Sequence, residues 1–272
     1  MNPIAVFDSG YGGLTVLGEL LKKFPDYDFI YLGDNARTPY GGRSFDVVYR
    51  YTLEAVEALF EKGAHLVILA CNTASAKALR TIQQKNLPLI DPDRRVLGVI
   101  RPSVEALENI TKTRVVGVMG TIGTIASNSY PLEIAKLYPD IKTVQESCPM
   151  WVPLVENNEH LSKGAHYFVR KSIDNLFNRE PNIDTLILGC THYPLLLPVI
   201  EKYIPDNVKV LTQGSIVADS LADYLKRHPE MDKKCSRNGI RKFFTTENPE
   251  KFNQAVSLFL NYEVEALHVE FG

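Results

Sequence analysis

Two cysteines in this sequence sit in the same local pattern. Cys71-Asn72-Thr73-Ala74-Ser75 follows the apolar run Leu66 to Ala70, and Cys190-Thr191-His192-Tyr193-Pro194 follows Thr185-Leu186-Ile187-Leu188-Gly189. In each, a strand-length apolar stretch gives way to a thiol, two hydrogen-bonding side chains and the opening of a helix. A helix N-terminus lowers a thiol pKa from its free value of about 8.5. One cysteine with a histidine and an acid would suit acyl transfer through a thioester. Two in matched settings suit something else. If they face each other across one substrate carbon, one removes a proton while the other supplies one, and the configuration inverts. Proton removal next to a carboxylate is difficult, so the thiolate must be held close and largely free of water. Asp8 and His192 are available to pass protons to and from the thiols. Taken singly, a turn-bracing acid and a satisfied histidine describe them equally well. Ser9, Asn72, Thr73, Thr121 and Thr191 can bind carboxylate and ammonium groups.

The remaining cysteines, Cys148 and Cys235, lack this setting and read as small buried hydrophobes. No C-x-x-C pair occurs, which weakens zinc and thioredoxin-type readings. Neither a metal cluster nor a pyridoxal lysine motif is apparent. The 272 residues carry 30 Lys and Arg against 32 Asp and Glu, a net charge of −2, so no basic surface for nucleic acid is built. The longest apolar runs are strand-sized, which supports no membrane span. The N-terminus lacks the basic and long apolar segments of a signal peptide, which points to the cytoplasm and, in that reducing compartment, away from structural disulfides.

The elements that must position these residues alternate as strand and helix. Strands are expected at Ile4 to Phe7, Phe29 to Leu32, Leu66 to Ala70, Val96 to Ile100, Val115 to Met119, Ile141 to Gln145, the Cys190 strand, Val208 to Leu211, Ile240 to Thr245 and Ala266 to Val269. Helices are expected at Leu14 to Phe24, Ser44 to Lys62, Ala74 to about Lys85, Ser127 to Leu137, Ser162 to Phe177, Pro194 to Tyr203, Ser215 to Arg227 and Pro249 to Leu260. Asn86 to Arg95 reads as a connection and Gly120 to Thr124 as a hydroxyl-bearing loop. This alternation predicts an α/β fold with mostly parallel sheets, in which ligands bind beyond the carboxyl ends of the strands. Asp8, Ser9, Tyr40, Cys71, Asn72, Thr73, Thr121, Cys190, Thr191 and His192 all fall at or just after such ends. The glycine-rich turn after Asp8 has neither G-x-G-x-x-G nor a Walker lysine, so a nucleotide reading fails. Arg37 suits a carboxylate ligand or a loop-bracing ion pair. Trp151 reads as packing. Glu156 is either a partly buried acid near the site or a helix-capping acid.

Together, Asp8-Ser9-Gly10-x-Gly12-Gly13-Leu14-Thr15-Val16, Gly33-Asp34-x-x-Arg37-x-Pro39-Tyr40-Gly41, Ala70-Cys71-Asn72-Thr73-Ala74-Ser75, Gly120-Thr121-x-Gly123-Thr124 and Gly189-Cys190-Thr191-His192-Tyr193-Pro194-Leu195 resemble the glutamate racemase family. The segment ending Val152-Pro153-Leu154-Val155-Glu156 also fits. The resemblance implies interconversion of L- and D-glutamate without a cofactor, feeding D-glutamate into peptidoglycan. It implies that Cys71 acts on D-glutamate with help from Asp8, and Cys190 on L-glutamate with help from His192. Asp8, Ser9, Tyr40, Gly41, Asn72, Thr73, Thr191 and His192 would hold substrate; Thr121 is a further candidate contact and Glu156 a candidate accessory acid on the residue reading, with no metal expected. It further implies two similar α/β domains with the site in the cleft between them, the first formed by residues 1–97 and 207–272 and the second by 98–206. The partner is a small-molecule substrate, glutamate, with neither nucleic acid nor membrane, and the assembly to consider is a homodimer. Two departures stand out: Arg101-Pro102-Ser103 replaces the family's x-Pro-Gly turn, and Thr212-Gln213-Gly214 replaces an Asp-Ser-Gly-like turn. The rivals are an aspartate racemase or another two-cysteine racemase, a cysteine hydrolase or amidase, and a non-catalytic amino-acid-binding protein.

Overall fold

The computed structural model describes residues 2–260 and 263–271, so the two ends of the first expected domain, residues 1 and 272, lie outside it. Among the described residues ten strands alternate with helices: β1 Ile4–Asp8, β2 Phe29–Gly33, β3 Leu66–Leu69, β4 Arg95–Gly98, β5 Val115–Gly120, β6 Lys142–Ser147, β7 Thr185–Gly189, β8 Lys209–Leu211, β9 Arg241–Thr245 and β10 Ala266–His268. They form two separate sheets, ordered β10-β9-β2-β1-β3-β4 and β6-β5-β7-β8. Every pairing is parallel, so this is an α/β protein of the expected class. The chain divides into two compact units, residues 1–99 with 214–272, and residues 100–213.

Parallel sheets need cover on both faces, and the first unit supplies it. Along β1, Ile4 and Val6 enter one apolar core with Tyr31 and Ile68. Ala5 and Phe7 enter the opposite core with Ile30, Leu32, Val67 and Leu69. That two-sided burial explains why β3 carries four apolar residues without alternation. The helix Leu14–Lys23 closes the first core with Val16, Leu17, Leu20 and Leu21, and Phe45–Glu61 the second with Val48, Val56, Leu59 and Phe60. Ser44 caps the latter helix by accepting from the Val47 N–H at 3.4 Å.

Several expectations about elements are corrected. The strand Lys209–Leu211 pairs with β7 in the second sheet, whereas a return to the first domain at residue 207 would separate them. The helix expected from Ala74 is interrupted at Ala78 and continues through a wider turn to Leu87–Ile90, so part of the expected connection is helical. Pro88 is accommodated in the first turn of that last segment, where no N–H is required. Arg101-Pro102-Ser103 lies inside a helix, Ile100–Glu105, and Gln213 opens the helix Gln213–Arg227, so neither segment is a simple turn. Gly120 to Thr124 is only briefly a loop, because Thr121 caps a short helix, Ile122–Ala126. The helix Pro229–Lys234 was not expected.

Candidate active site

In the first unit the site begins where β1 and β3 end side by side. Phe7 and Leu69 are register partners, and the Ala70 N–H donates to the Phe7 carbonyl at 2.8 Å. That pairing sets Asp8 and Ser9 beside Cys71. Ser9 Oγ lies 3.4 Å from Cys71 Sγ. Cys71 caps the six-residue helix Asn72–Lys77, its sulfur accepting from the Ala74 N–H at 3.4 Å. Asn72 and Thr73 form the first turn of that helix and are buried with the thiol. Asp8 is buried and accepts from the Gly10 N–H at 3.0 Å, which folds the glycine-rich turn around its carboxylate. Tyr31 ties down the same turn, donating to the Gly10 carbonyl at 2.7 Å.

Tyr40 comes to this group through a neighbour. Its hydroxyl donates to Asp34, a fully buried carboxylate that also accepts from Arg37 Nε at 2.7 Å and Thr246 Oγ1 at 2.8 Å. Burial and the adjacent Asp34 charge hold the Tyr40 phenol protonated, with its pKa raised. Arg37 also pairs with Glu54 and lies 4.0 Å from the centre of the Tyr51 ring. It therefore braces the loop carrying Tyr40 and Gly41, the second of its two sequence readings. Asp34 has no role assigned by sequence pattern alone; its signal there is a charged residue directly after a buried strand.

In the second unit β5 and β7 end in register, Gly120 opposite Gly189. Thr121 and Cys190 therefore follow on neighbouring strands. Thr121 is engaged as a cap, its Oγ1 accepting from the Thr124 N–H at 3.2 Å. Cys190, Thr191 and His192 are all buried. Cys190 Sγ lies 3.9 Å from His192 Nδ1, and His192 Nε2 lies 3.1 Å from Glu156 Oε1. Thiol, imidazole and carboxylate thus form one line. Burial opposes charge on His192, but the hydrogen bonds to Cys190 and Glu156 outweigh it and raise its pKa to about 10. Glu156 is delivered by the helix Trp151–Glu156, whose Trp151 is fully buried against Tyr193 at 4.7 Å between ring centres. Trp151 therefore packs, as expected, and in packing fixes the helix that carries Glu156. Glu156 meets His192 and is not a helix cap at the site, since it lies at the helix's C-terminal end.

The helix expected at Cys190 is reduced to a tight 3₁₀ turn, Tyr193–Leu196, followed by Leu197–Ile200. Pro194 is tolerated in the first turn, but Pro198 lies a turn further on, where a continuous α-helix needs the N–H that proline lacks. Local assistance to the Cys190 thiol therefore comes from His192 and not from a long helix dipole. Cys148 and Cys235 are buried, and burial raises both thiols, that of Cys235 to about 12. Among the described residues no group of three or more His, Cys, Asp or Glu is placed to hold a metal ion, and no helix is long and apolar enough to cross a membrane.

This arrangement has known counterparts. The sequence profile of the Asp/Glu/Hydantoin racemase family matches residues 20–221. A glutamate racemase from Roseobacter denitrificans is 39% identical, the alignment covering 96% of this chain and 98% of that one. Among solved structures, a glutamate racemase from Bacillus anthracis superposes with a TM-score of 0.90 at 34% identity, covering 99% of this chain and 97% of that one. One from Francisella tularensis, solved in complex with D-glutamate, gives 0.87 at 31% identity, covering 99% and 98%. An aspartate racemase from Picrophilus torridus is 16% identical with a TM-score of 0.53 over 83% of this chain, a likeness of fold alone. The chain belongs to the Asp/Glu/Hydantoin racemase family, among its glutamate racemases.

Proposed function

We propose that this protein racemises glutamate without a cofactor, with Cys190 and Cys71 acting from opposite faces of the substrate Cα. The observation that carries the reading is the pair of buried strand-end thiols, each with its own polar partners, in a chain that aligns almost end to end with glutamate racemases. In the L-to-D direction the Cys190 thiolate takes the Cα proton and the Cys71 thiol delivers one to the other face, so the enzyme ends with its two protonation states exchanged. His192 stabilises the Cys190 thiolate as an imidazolium, and Glu156 stabilises that imidazolium. Asp8 serves Cys71 in the same capacity. Ser9, Tyr40, Gly41, Asn72, Thr73, Thr121, Thr191 and His192 are the proposed substrate contacts: N–H and O–H donors suit the two carboxylates, and hydroxyl and amide oxygens suit the ammonium as acceptors. The product would supply peptidoglycan precursors in the cytoplasm.

The test is polarimetry of purified protein with L-glutamate and, separately, L-aspartate, with nothing else added. Decay of the glutamate rotation to zero is expected. Decay with aspartate alone would favour the aspartate racemase reading, and neither signal would leave a binding protein or a hydrolase. The proposal includes a homodimer, on the family resemblance alone. Light scattering should then give twice the chain mass of 30.6 kDa.

A further inference from the structure

Ser103 and Tyr130, from two helices of the second unit, meet Gln213, the last residue of that unit and the first of the helix Gln213–Arg227. Gln213 Nε2 donates to Ser103 Oγ at 2.8 Å and to the Tyr130 hydroxyl at 2.8 Å. An amide nitrogen has two hydrogens, and both are used. Gln213 is 3% exposed and the other two side chains are fully buried. A satisfied polar network in a low-dielectric interior is rigid, because each bond is costly to break there.

The network leads to the thiol. The Tyr130 ring lies against Gly189, the residue before Cys190. A Cβ at Gly189 would stand 3.2 Å from Tyr130 Cε2 and 3.1 Å from the Met119 carbonyl. The ring thus occupies the space a side chain would need at the residue that enters Cys190. Burial raises the pKa of the Tyr130 phenol, with the nearby Cys190 charge as a smaller cause in the same direction. Ser103 and Gln213 lie near the two points where the chain enters and leaves this unit. The segments Arg101-Pro102-Ser103 and Thr212-Gln213-Gly214 thus touch each other through these two side chains.

We propose that Gln213, Ser103 and Tyr130 form a clasp that positions Cys190 for proton transfer on the L-glutamate side. All three are positioning residues acting through Gly189. The inference rests on the reading of Cys190 as the base toward L-glutamate.

The test uses Gln213→Met, which conserves volume and removes both donated bonds, and Tyr130→Phe, which removes one acceptor but leaves the ring on Gly189. In Gln213→Met, kcat/KM should fall about tenfold for both enantiomers, which are tied by equilibrium, as expected for a misplaced base. The primary isotope effect on 2-deuterated L-glutamate should rise and that on 2-deuterated D-glutamate should fall, since only the Cys190 step is slowed. Tyr130→Phe should show the same pattern more weakly, and the double variant should be no worse than Gln213→Met. Iodoacetamide should alkylate Cys190 faster in Gln213→Met and leave the Cys71 rate unchanged. Native kinetics in both variants, or equal changes in both isotope effects or both alkylation rates, would overturn the clasp. If Gln213→Met does not fold, an unchanged pair of isotope effects in Tyr130→Phe overturns it instead. Should the native protein fail to racemise glutamate, the proposed function falls and the clasp's role in proton transfer falls with it; an active native enzyme whose Gln213→Met variant keeps both native isotope effects overturns the clasp alone.

Discussion

At residue scale the proposed chemistry depends on two thiols, each in its own polar setting. Cys71→Ala or Cys190→Ala should each abolish racemisation, a loss of several orders of magnitude, because positioning and general-base catalysis are lost together. In D2O, D-glutamate formed from L-glutamate should carry deuterium at Cα from its first appearance, while remaining L-glutamate stays largely unlabelled at early times. Product that keeps the original hydrogen would mean that one group carries the proton around the carbon. The thiol–imidazole–carboxylate line makes a second prediction. Glu156→Gln keeps a polar contact to His192 but removes its charge, which should cost about tenfold to a hundredfold in kcat/KM, the scale of a hydrogen bond to a charged group. Equal activity in that variant would remove Glu156 from the mechanism. A third concerns stability. The pKa of His192 is raised to about 10 in the folded protein, so folding favours its proton. That contribution is complete below its unfolded pKa of about 6.5 and is lost as pH rises through about 10. In urea unfolding, His192→Asn should trail the native protein most at pH 6, with the gap narrowing steadily toward pH 10. A gap independent of pH would show that the imidazolium is not held by its partners.

At the scale of elements, the glycine-rich turn after β1 is a device for placing one carboxylate. A Cβ at Gly13 would stand 2.5 Å from Asp8 Cβ and 3.1 Å from the Tyr31 hydroxyl oxygen. The helix Leu14–Lys23 can follow Asp8 so closely only because that side chain is missing. Gly13→Ala should therefore displace Asp8, lower kcat and destabilise the fold by roughly 1–3 kcal/mol, the usual cost of overpacking. Gly42 offers the control, since nothing lies within 4 Å of a Cβ there. Gly42→Ala should leave thermal unfolding and kcat close to native. If the two substitutions behave alike, the close approach of Gly13 to Asp8 is not what places the carboxylate. In the second unit the corresponding device is the short helix Trp151–Glu156, anchored at one end by Trp151 on Tyr193 and delivering Glu156 at the other.

For the whole molecule, the proposed reaction calls for no group beyond the chain's own acids and bases. Dialysis against EDTA and treatment with hydroxylamine should leave turnover intact. A visible absorption band that is lost together with activity would overturn this. The sequence alone was enough to place both cysteines at strand ends, because a short unalternated apolar run that stops at a polar cluster reads as a strand covered on both faces, and β3 and β7 end just before them. Asp8, Ser9 and Thr121 were legible as strand-end residues for the same reason. Strand ends are marked by an abrupt local change in side-chain chemistry. Helix limits were less legible where prolines and wide turns broke the period, as after Ala78 and at Pro194. What only the tertiary structure decided are the contacts between residues far apart in the chain. Glu156 reaching His192, Asp34 holding Tyr40, Gln213 donating to Ser103 and Tyr130, and β8 joining the second sheet all depend on packing between elements. Local periodicity records which face of an element is apolar. It carries no record of which distant element will cover that face, because the partner is selected by the shape and hydrogen-bonding capacity of the assembled interior.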